Sequence, residues 1–378
     1  MSTYSAPSGR SSFASAGVSA HLRRMPMWRT WLLPFAALAI GSAACGSILG
    51  DFPDGRVSDN GSDAAVPPTA DGASGPDGPP LPAGAPRGAI CLVPNGGVVL
   101  DMAVDATAVF WLRGPPSGTE GYAVESCPKR GTKIQTIATL QGPPESLALS
   151  DKHVFWSVGE GPASARGVWR SDKRASSTPP TLFFDASDPG PITIANGAIY
   201  AGTHGGRVLI QALEGVGSGL WINLGNFKSI AASGENLYWS RGETSEVWTK
   251  PHGTAQSSAI TGPFSLPPSF LAYDGRLYWA APSPTGITIH AQGGDGGATA
   301  IVTQLGFVSF AVRSGGIYWT ANDDATGSVR KCAADAPCAN PEPLWRENVE
   351  VSRIALDDAS VFFAAKRNEG TYIVRAAR

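Results

Sequence analysis

Charge is what this 378-residue chain has least of: Lys and Arg total 29 against 31 Asp and Glu, charged residues make up 16%, and the formal net charge is −2. With no basic field to hold a phosphate backbone or an anionic membrane surface, no nucleic-acid partner is expected. Histidine is scarce as well. His153, His204, His252 and His290 sit at unrelated positions, whereas a metal needs ligands converging to about 2 to 2.6 Å of one ion. No Gly-x-Ser-x-Gly elbow, His-Glu-x-x-His helix or phosphate-binding loop occurs, so no motif supports a hydrolase, a zinc peptidase or a nucleotide enzyme. No catalytic residue, cofactor or metal is expected. Gly (46) and Pro (31) are abundant instead, which favours turn-rich β structure over long solvated helices.

Long apolar runs are also missing, with one short exception at residues 31–40. Arg23, Arg24 and Arg29 lead into it and small residues follow, which is the layout of a signal peptide over residues 25–45. The run is shorter than the roughly 20 residues a bilayer span needs, and Pro34 interrupts it. Ser42-Ala43-Ala44-Cys45-Gly46 resembles the lipobox of bacterial lipoproteins. That likeness implies a lipidated Cys45 as the mature N-terminus and membrane contact through the anchor alone. Ser42 stands where the family usually has Leu, and ordinary cleavage near Ala44, giving a secreted protein, is the alternative. Residues 1–24 read as an extension ahead of a start at Met25 or Met27. Residues 46–87, dominated by Gly, Ala, Pro, Ser and Asp, read as a disordered tether, because such a composition buries too little apolar surface to offset chain entropy.

From residue 88 onward the chain repeats itself. Seven ten-residue blocks align without gaps: MAVDATAVFW (102–111), LALSDKHVFW (147–156), ITIANGAIYA (192–201), IAASGENLYW (230–239), FLAYDGRLYW (270–279), FAVRSGGIYW (310–319) and IALDDASVFF (354–363). Each opens on an apolar residue, carries turn formers in the middle, and places an aliphatic at position eight and Phe or Tyr at position nine. That is the pattern of a β-hairpin. Equivalent tenth positions lie 38 to 45 residues apart, the size of a four-stranded propeller blade. Third strands are expected around 167–170, 208–210, 246–249, 287–289, 328–330 and 372–375, and fourth strands around 181–184, 219–222 and 343–345. The seventh unit stops after its third strand, and an open ring would leave strand edges unpaired. The spare run at 88–93 is therefore expected to complete blade seven. The resulting expectation is an all-β, seven-bladed β-propeller over residues 88–378, closed by its N-terminal strand.

The Tyr-Trp pairs resemble the YWTD class of extracytoplasmic propellers, most closely at Tyr318-Trp319-Thr320-Ala321 and Tyr238-Trp239-Ser240-Arg241. The Asp of that motif is absent and the count here is seven blades rather than six, so the likeness concerns architecture alone. Repetition makes the pair blade-to-blade packing. Inner-strand positions Ala103, Ala148, Thr193, Ala231, Leu271, Ala311 and Ala355 are mostly small or apolar, which predicts no cage of carboxylates. Of five cysteines, Cys45 is the candidate anchor, and Cys91, Cys127, Cys332 and Cys338 form an even set suited to two disulfides in an exported protein. Three pairings exist. A local Cys332–Cys338 bridge is the first choice, which leaves Cys91–Cys127 to tie the closing strand to blade one.

Loops between second and third strands gather on one face of a propeller. Here they carry Arg113, Glu160, Arg166, His204, Arg241, Glu243, Asp323, Asp324, Lys366 and Arg367, a mixed-charge candidate binding face suited to an envelope protein or a glycan. The expectation is a monomeric, non-enzymatic binding or scaffold propeller in the cell envelope. The alternative is an enzyme of lyase or lactonase type at the channel mouth.

Overall fold

A computed structural model describes residues 80–378, apart from 117–120, 175–177, 215–219, 224–226, 242–245, 253, 255, 261–269 and 293–296. The chain divides into Met1–Thr69 and Ala70–Arg378, and every described residue belongs to the second unit. The expected signal peptide, Cys45 and most of the expected tether lie outside the described residues.

The described residues form seven four-stranded antiparallel sheets and two single 3-10 turns. The sheets cover residues 98–140, 144–184, 189–223, 227–259, 270–304 and 307–347, and the last combines 350–377 with Ala89–Leu92. First strands of successive blades touch one another all the way round, the last against the first. The expected seven-bladed propeller is what the chain forms, with its first strands innermost.

Ring closure uses the spare strand. Ala89, Cys91 and Leu92 pair with Val374, Ile373 and Tyr372 of Gly370–Ala377, and the Arg375 N–H donates to the Gly88 carbonyl at 2.8 Å. Gly88 has φ +78°, and a Cβ there would meet the Arg375 carbonyl oxygen at 2.4 Å, so only glycine fits this seam. Cys91 is bonded to Cys127 and Cys332 to Cys338, the two bridges expected. The first joins blade seven to blade one.

Adjacent strand residues face opposite sides of a sheet, which explains the aromatic pair. Trp239 is 1% exposed and packs with Tyr200 and Val208 of the preceding blade, while Tyr238 packs with Leu277 and Trp279 of the following one. Trp111 and Phe110, Trp156 and Phe155, Trp319 and Tyr318, and Phe363 and Phe362 divide the same way. Where Ala201 replaces the tenth residue it still packs beside Phe155 of the blade before. Each interface is therefore built from one residue of its own pair and one of its neighbour's.

Blade five departs from the gapless alignment by one residue. Position one pairs with position ten in the other blades, as in Met102 with Trp111 and Ile230 with Trp239, but Leu271 pairs with Trp279. Its turn is one residue shorter. The inner-strand position assigned to Leu271 therefore belongs to Ala272, which restores the small residue opposite Tyr278 that the other blades place opposite position nine.

A second regularity was not read from the sequence. In the six blades where the residue after the third strand is described, it donates its N–H to a carbonyl of its own hairpin turn, as Lys129 to Thr107, Lys173 to Lys152, His252 to Glu235 and Arg378 to Ala359. Its side chain then covers the position-nine ring of the blade before. Lys129 lies 5.5 Å from the Phe362 ring and Lys173 5.8 Å from Phe110. The His252 ring stands 5.2 Å from Tyr200, and Arg378 donates to the Tyr318 hydroxyl at 2.7 Å. Cations over aromatic faces and a matched hydroxyl acceptor both favour this placement.

Candidate functional site

The structure places Arg113, Arg241, Asp323, Lys366 and Arg367 at the ends of second strands rather than in the loops expected, and most charges of this face already have partners. Arg113 donates through Nε to Glu125 Oε1 at 2.8 Å and through Nη1 to the Gly121 carbonyl at 2.6 Å, while the Trp111 indole donates to Glu125 Oε2 at 3.0 Å. Glu125 is 1% exposed, so this is a buried structural cage. Arg166 Nε bonds the Gly161 carbonyl at 2.9 Å, and the Arg241 guanidinium covers Trp248 at 4.8 Å. Asp323 pairs with Arg330 and accepts from Gln304, and Arg367 pairs with Glu347 at 2.8 Å. Glu243 lies outside the described residues. Glu160, Asp324 and Lys366 are exposed.

His204 differs. Its Nε2 lies 2.8 and 3.0 Å from the two oxygens of half-buried Glu145, which sits in an irregularity at the start of the innermost strand of blade two. A Cβ on Gly159 would lie 2.5 Å from Glu145 Oε1, so a glycine there is what gives the pair room. The other histidines stand elsewhere: His153 beside Asp172 at 3.3 Å, His252 against Tyr200, and His290 stacked on Trp279. Burial lowers the pKa of His290. Among the described residues no three His, Cys, Asp or Glu side chains are grouped to hold a metal ion.

A further opening lies on the opposite face, where the first-to-second-strand turns project. A cleft of about 930 Å³ separates the turns and third-strand ends of blades one and two. Lys173 crosses it to Asp105 at 2.9 Å, and Asp151, Lys152, Asp172 and Arg174 stand exposed around it. Burial pushes the Asp105 carboxyl up, but the Thr107 N–H, Lys173 and the Ala108 N–H outweigh it and hold the group below the usual carboxylate range. The hairpin pattern marks these residues as turn formers, so the cleft is not legible from the repeat. The signal is the run Asp172-Lys173-Arg174, charged throughout at the end of a third strand where blade three has Ala212-Leu213-Glu214.

Fold and openings together define a class: a seven-bladed propeller sealed at its seam and indented between its first two blades. No family model matches the chain, and no curated protein matches it. Solved structures do. The β-propeller domain of the Trilobed protease from Pyrococcus furiosus, described as having an open velcro topology, has TM-score 0.59 at 10% identity over 74% of this chain and 95% of its own. A catalytically inactive virginiamycin B lyase from Staphylococcus aureus with quinupristin has TM-score 0.57 at 15% identity over 76% and 97%. A streptogramin B lyase has TM-score 0.55 at 15% identity over 75% and 93%. At such identities the likeness is one of fold.

Proposed function

We propose that this chain is a non-enzymatic, extracytoplasmic propeller that binds or scaffolds another component of a bacterial envelope, a protein or a glycan, and is held at the membrane through a lipidated Cys45. The observation that carries the reading is the inter-blade cleft. It is wide and rimmed by both signs of charge at Asp151, Lys152, Asp172 and Arg174, which suits a polar partner without attracting polyanions. The two disulfides fit an oxidising compartment. The test is photo-crosslinking of the exported protein in its own envelope from a probe placed at Gln135, beside the cleft. A partner crosslinked by the parent and lost in Lys152→Glu/Arg174→Glu supports the reading; the same products from both sink it. Anchoring is checked separately by metabolic labelling with an alkyne fatty acid, which Cys45→Ala should abolish.

One observation favours the second reading, a lyase or lactonase type of enzyme at the channel mouth: the paired, half-exposed His204 and Glu145. Such a pair places a base beside an orienting carboxylate. Two of the structures of similar fold are named as lyases. Incubation with quinupristin tests this reading directly. Consumption by the parent chain but not by His204→Ala would establish it, and an unchanged compound would remove that substrate.

A further inference from the structure

Blades one and two share one core frame with two changes. In blade one Trp111 pairs with Glu125 and Arg113 follows two residues on, so the indole N–H reaches the carboxylate and the guanidinium neutralises it. In blade two Trp156 pairs with Trp169, and Val158 stands where Arg113 would be. Acceptor and cation are both gone. The Trp156 Nε1 is buried and has no hydrogen-bond partner among the described residues, while the Trp169 indole is committed to the Ala165 carbonyl at 2.8 Å. An unmatched donor of this kind costs about 1 to 3 kcal/mol of desolvation; Trp319 Nε1 stands in the same state, and Trp156 adds to it a place in the lining of an opening.

A pocket of about 340 Å³ opens at this point, between the end of the fourth strand of blade one and the second-to-third-strand loop of blade two. Trp156, 1% exposed, is the most deeply buried residue of its lining. Leu140, Val158 and the Trp169 ring give apolar walls, and Thr139, Gln141 and Ser164 stand exposed at the rim. None of the nine lining residues is ionisable. Volume and lining match a small-molecule site in which a few polar groups fix orientation.

We propose that this pocket binds one uncharged pyranose unit of a glycan. A pyranose offers a C–H face for the Trp169 wall and several hydroxyls for the amide and hydroxyls at the rim. One of its oxygens accepts from the Trp156 indole. An anionic sugar or a phosphate finds no cation among the lining residues. The site goes beyond the cleft reading and shares no residue with that cleft, so either can fail alone.

The experiment is saturation-transfer NMR on the full chain with methyl β-glucopyranoside, methyl β-galactopyranoside, glucuronate and a proline-rich peptide, each also tested in high salt. A neutral glycoside saturates the protein with an affinity that salt leaves unchanged, and glucuronate binds less well. Trp156→Phe removes the donor but keeps an aromatic ring, as Phe363 does in blade seven. It weakens the glycoside about fivefold, the worth of one hydrogen bond. Val158→Arg/Trp169→Glu rebuilds the blade-one cage and abolishes binding, with folding confirmed by an unchanged far-ultraviolet dichroism spectrum. The proposal is overturned if neither glycoside saturates, if both variants bind as the parent does, or if only the peptide or glucuronate binds.

Discussion

The seam of the ring is where one covalent bond should matter most. Blade seven borrows its outer strand from the N-terminal side, and the Cys91–Cys127 bridge holds that strand against blade one across 36 residues of sequence. Treating the bridge as a constraint on the unfolded chain, a loop of that length contributes about 4 kcal/mol, against about 2 kcal/mol for the six-residue Cys332–Cys338 loop. An unfolding entropy of about 2 cal/mol/K per residue over roughly 300 ordered residues turns these into Tm losses of about 6 °C and about 3 °C. The variants are Cys91→Ala/Cys127→Ala and Cys332→Ala/Cys338→Ala, measured by calorimetry in oxidising buffer. Hydrogen exchange by mass spectrometry then separates a local role from a global one. Loss of the seam bridge should speed exchange in residues 88–93 and 370–377 first, because the Val93 N–H bond to Thr371 and the Arg375 N–H bond to Gly88 then open without breaking a covalent tie. Loss of the local bridge should leave that peptide unchanged. Equal Tm losses for the two variants, or no change in exchange at the closing strand, would refute the idea that the bridge acts by sealing the ring.

Three further outcomes follow from the same geometry. Trp239→Ala should cost about 3 to 5 kcal/mol in a denaturant melt because a fully buried indole leaves a cavity between blades three and four, whereas Arg241→Ala, which loses one stacking contact on Trp248, should cost less than about 1 kcal/mol. Glu125→Ala should cost about 3 to 5 kcal/mol, since it strands Arg113 and the Trp111 donor together, and restoring Gln should recover only part. Burial raises the Asp357 carboxyl, but Lys129 and the Ala359 and Ser360 N–H groups outweigh it, so Asp357 like Asp105 is held below the usual carboxylate range. Depressed carboxylates contribute stability above the unfolded-state value of about 4 and lose it as pH falls through their folded values. Tm should therefore drop below about pH 4, and the drop should be shallower in Asp105→Asn/Asp357→Asn, read by calorimetry from pH 7 downward.

The architecture was legible because a blade cannot bury its faces alone. Stacking forces the same residue types to recur at the same places, and position nine and position ten announce themselves through Phe110, Trp156, Tyr238 and Trp319 without any structure. What repetition hides is the local slip: the shortened turn at Asp274-Gly275 moved Leu271 out of register, and only the small residue Ala272 in the next place betrayed it. The loop charges were legible as residues but not as free groups. Arg113, Asp323 and Arg367 look available in sequence, yet they end second strands and their partners Glu125, Arg330 and Glu347 come from third or fourth strands, and no spacing rule ties the two members of such an ion pair in advance.

Function in such a ring is to be sought where one blade breaks the rule that its neighbours keep. Positions nine and ten are held by the interfaces, because changing either disturbs two blades at once. Residues opposite them on the third strand are held less tightly, and they are where the blades diverge: Glu125 opposite Trp111, Trp169 opposite Trp156, Trp248 opposite Trp239, His290 opposite Trp279 and Arg330 opposite Trp319. Glu125 accepts the hydrogen bond of the Trp111 indole, whereas Trp169 cannot accept one from Trp156. On the far face Lys129-Arg130 and Lys173-Arg174 follow their third strands alike, and each lysine lines an opening against the turn of the blade before. In blade two Trp169 and Val158 stand where blade one has Glu125 and Arg113, which is why Val158→Arg/Trp169→Glu, supplying carboxylate and cation together, should close that opening without touching the fold that carries it.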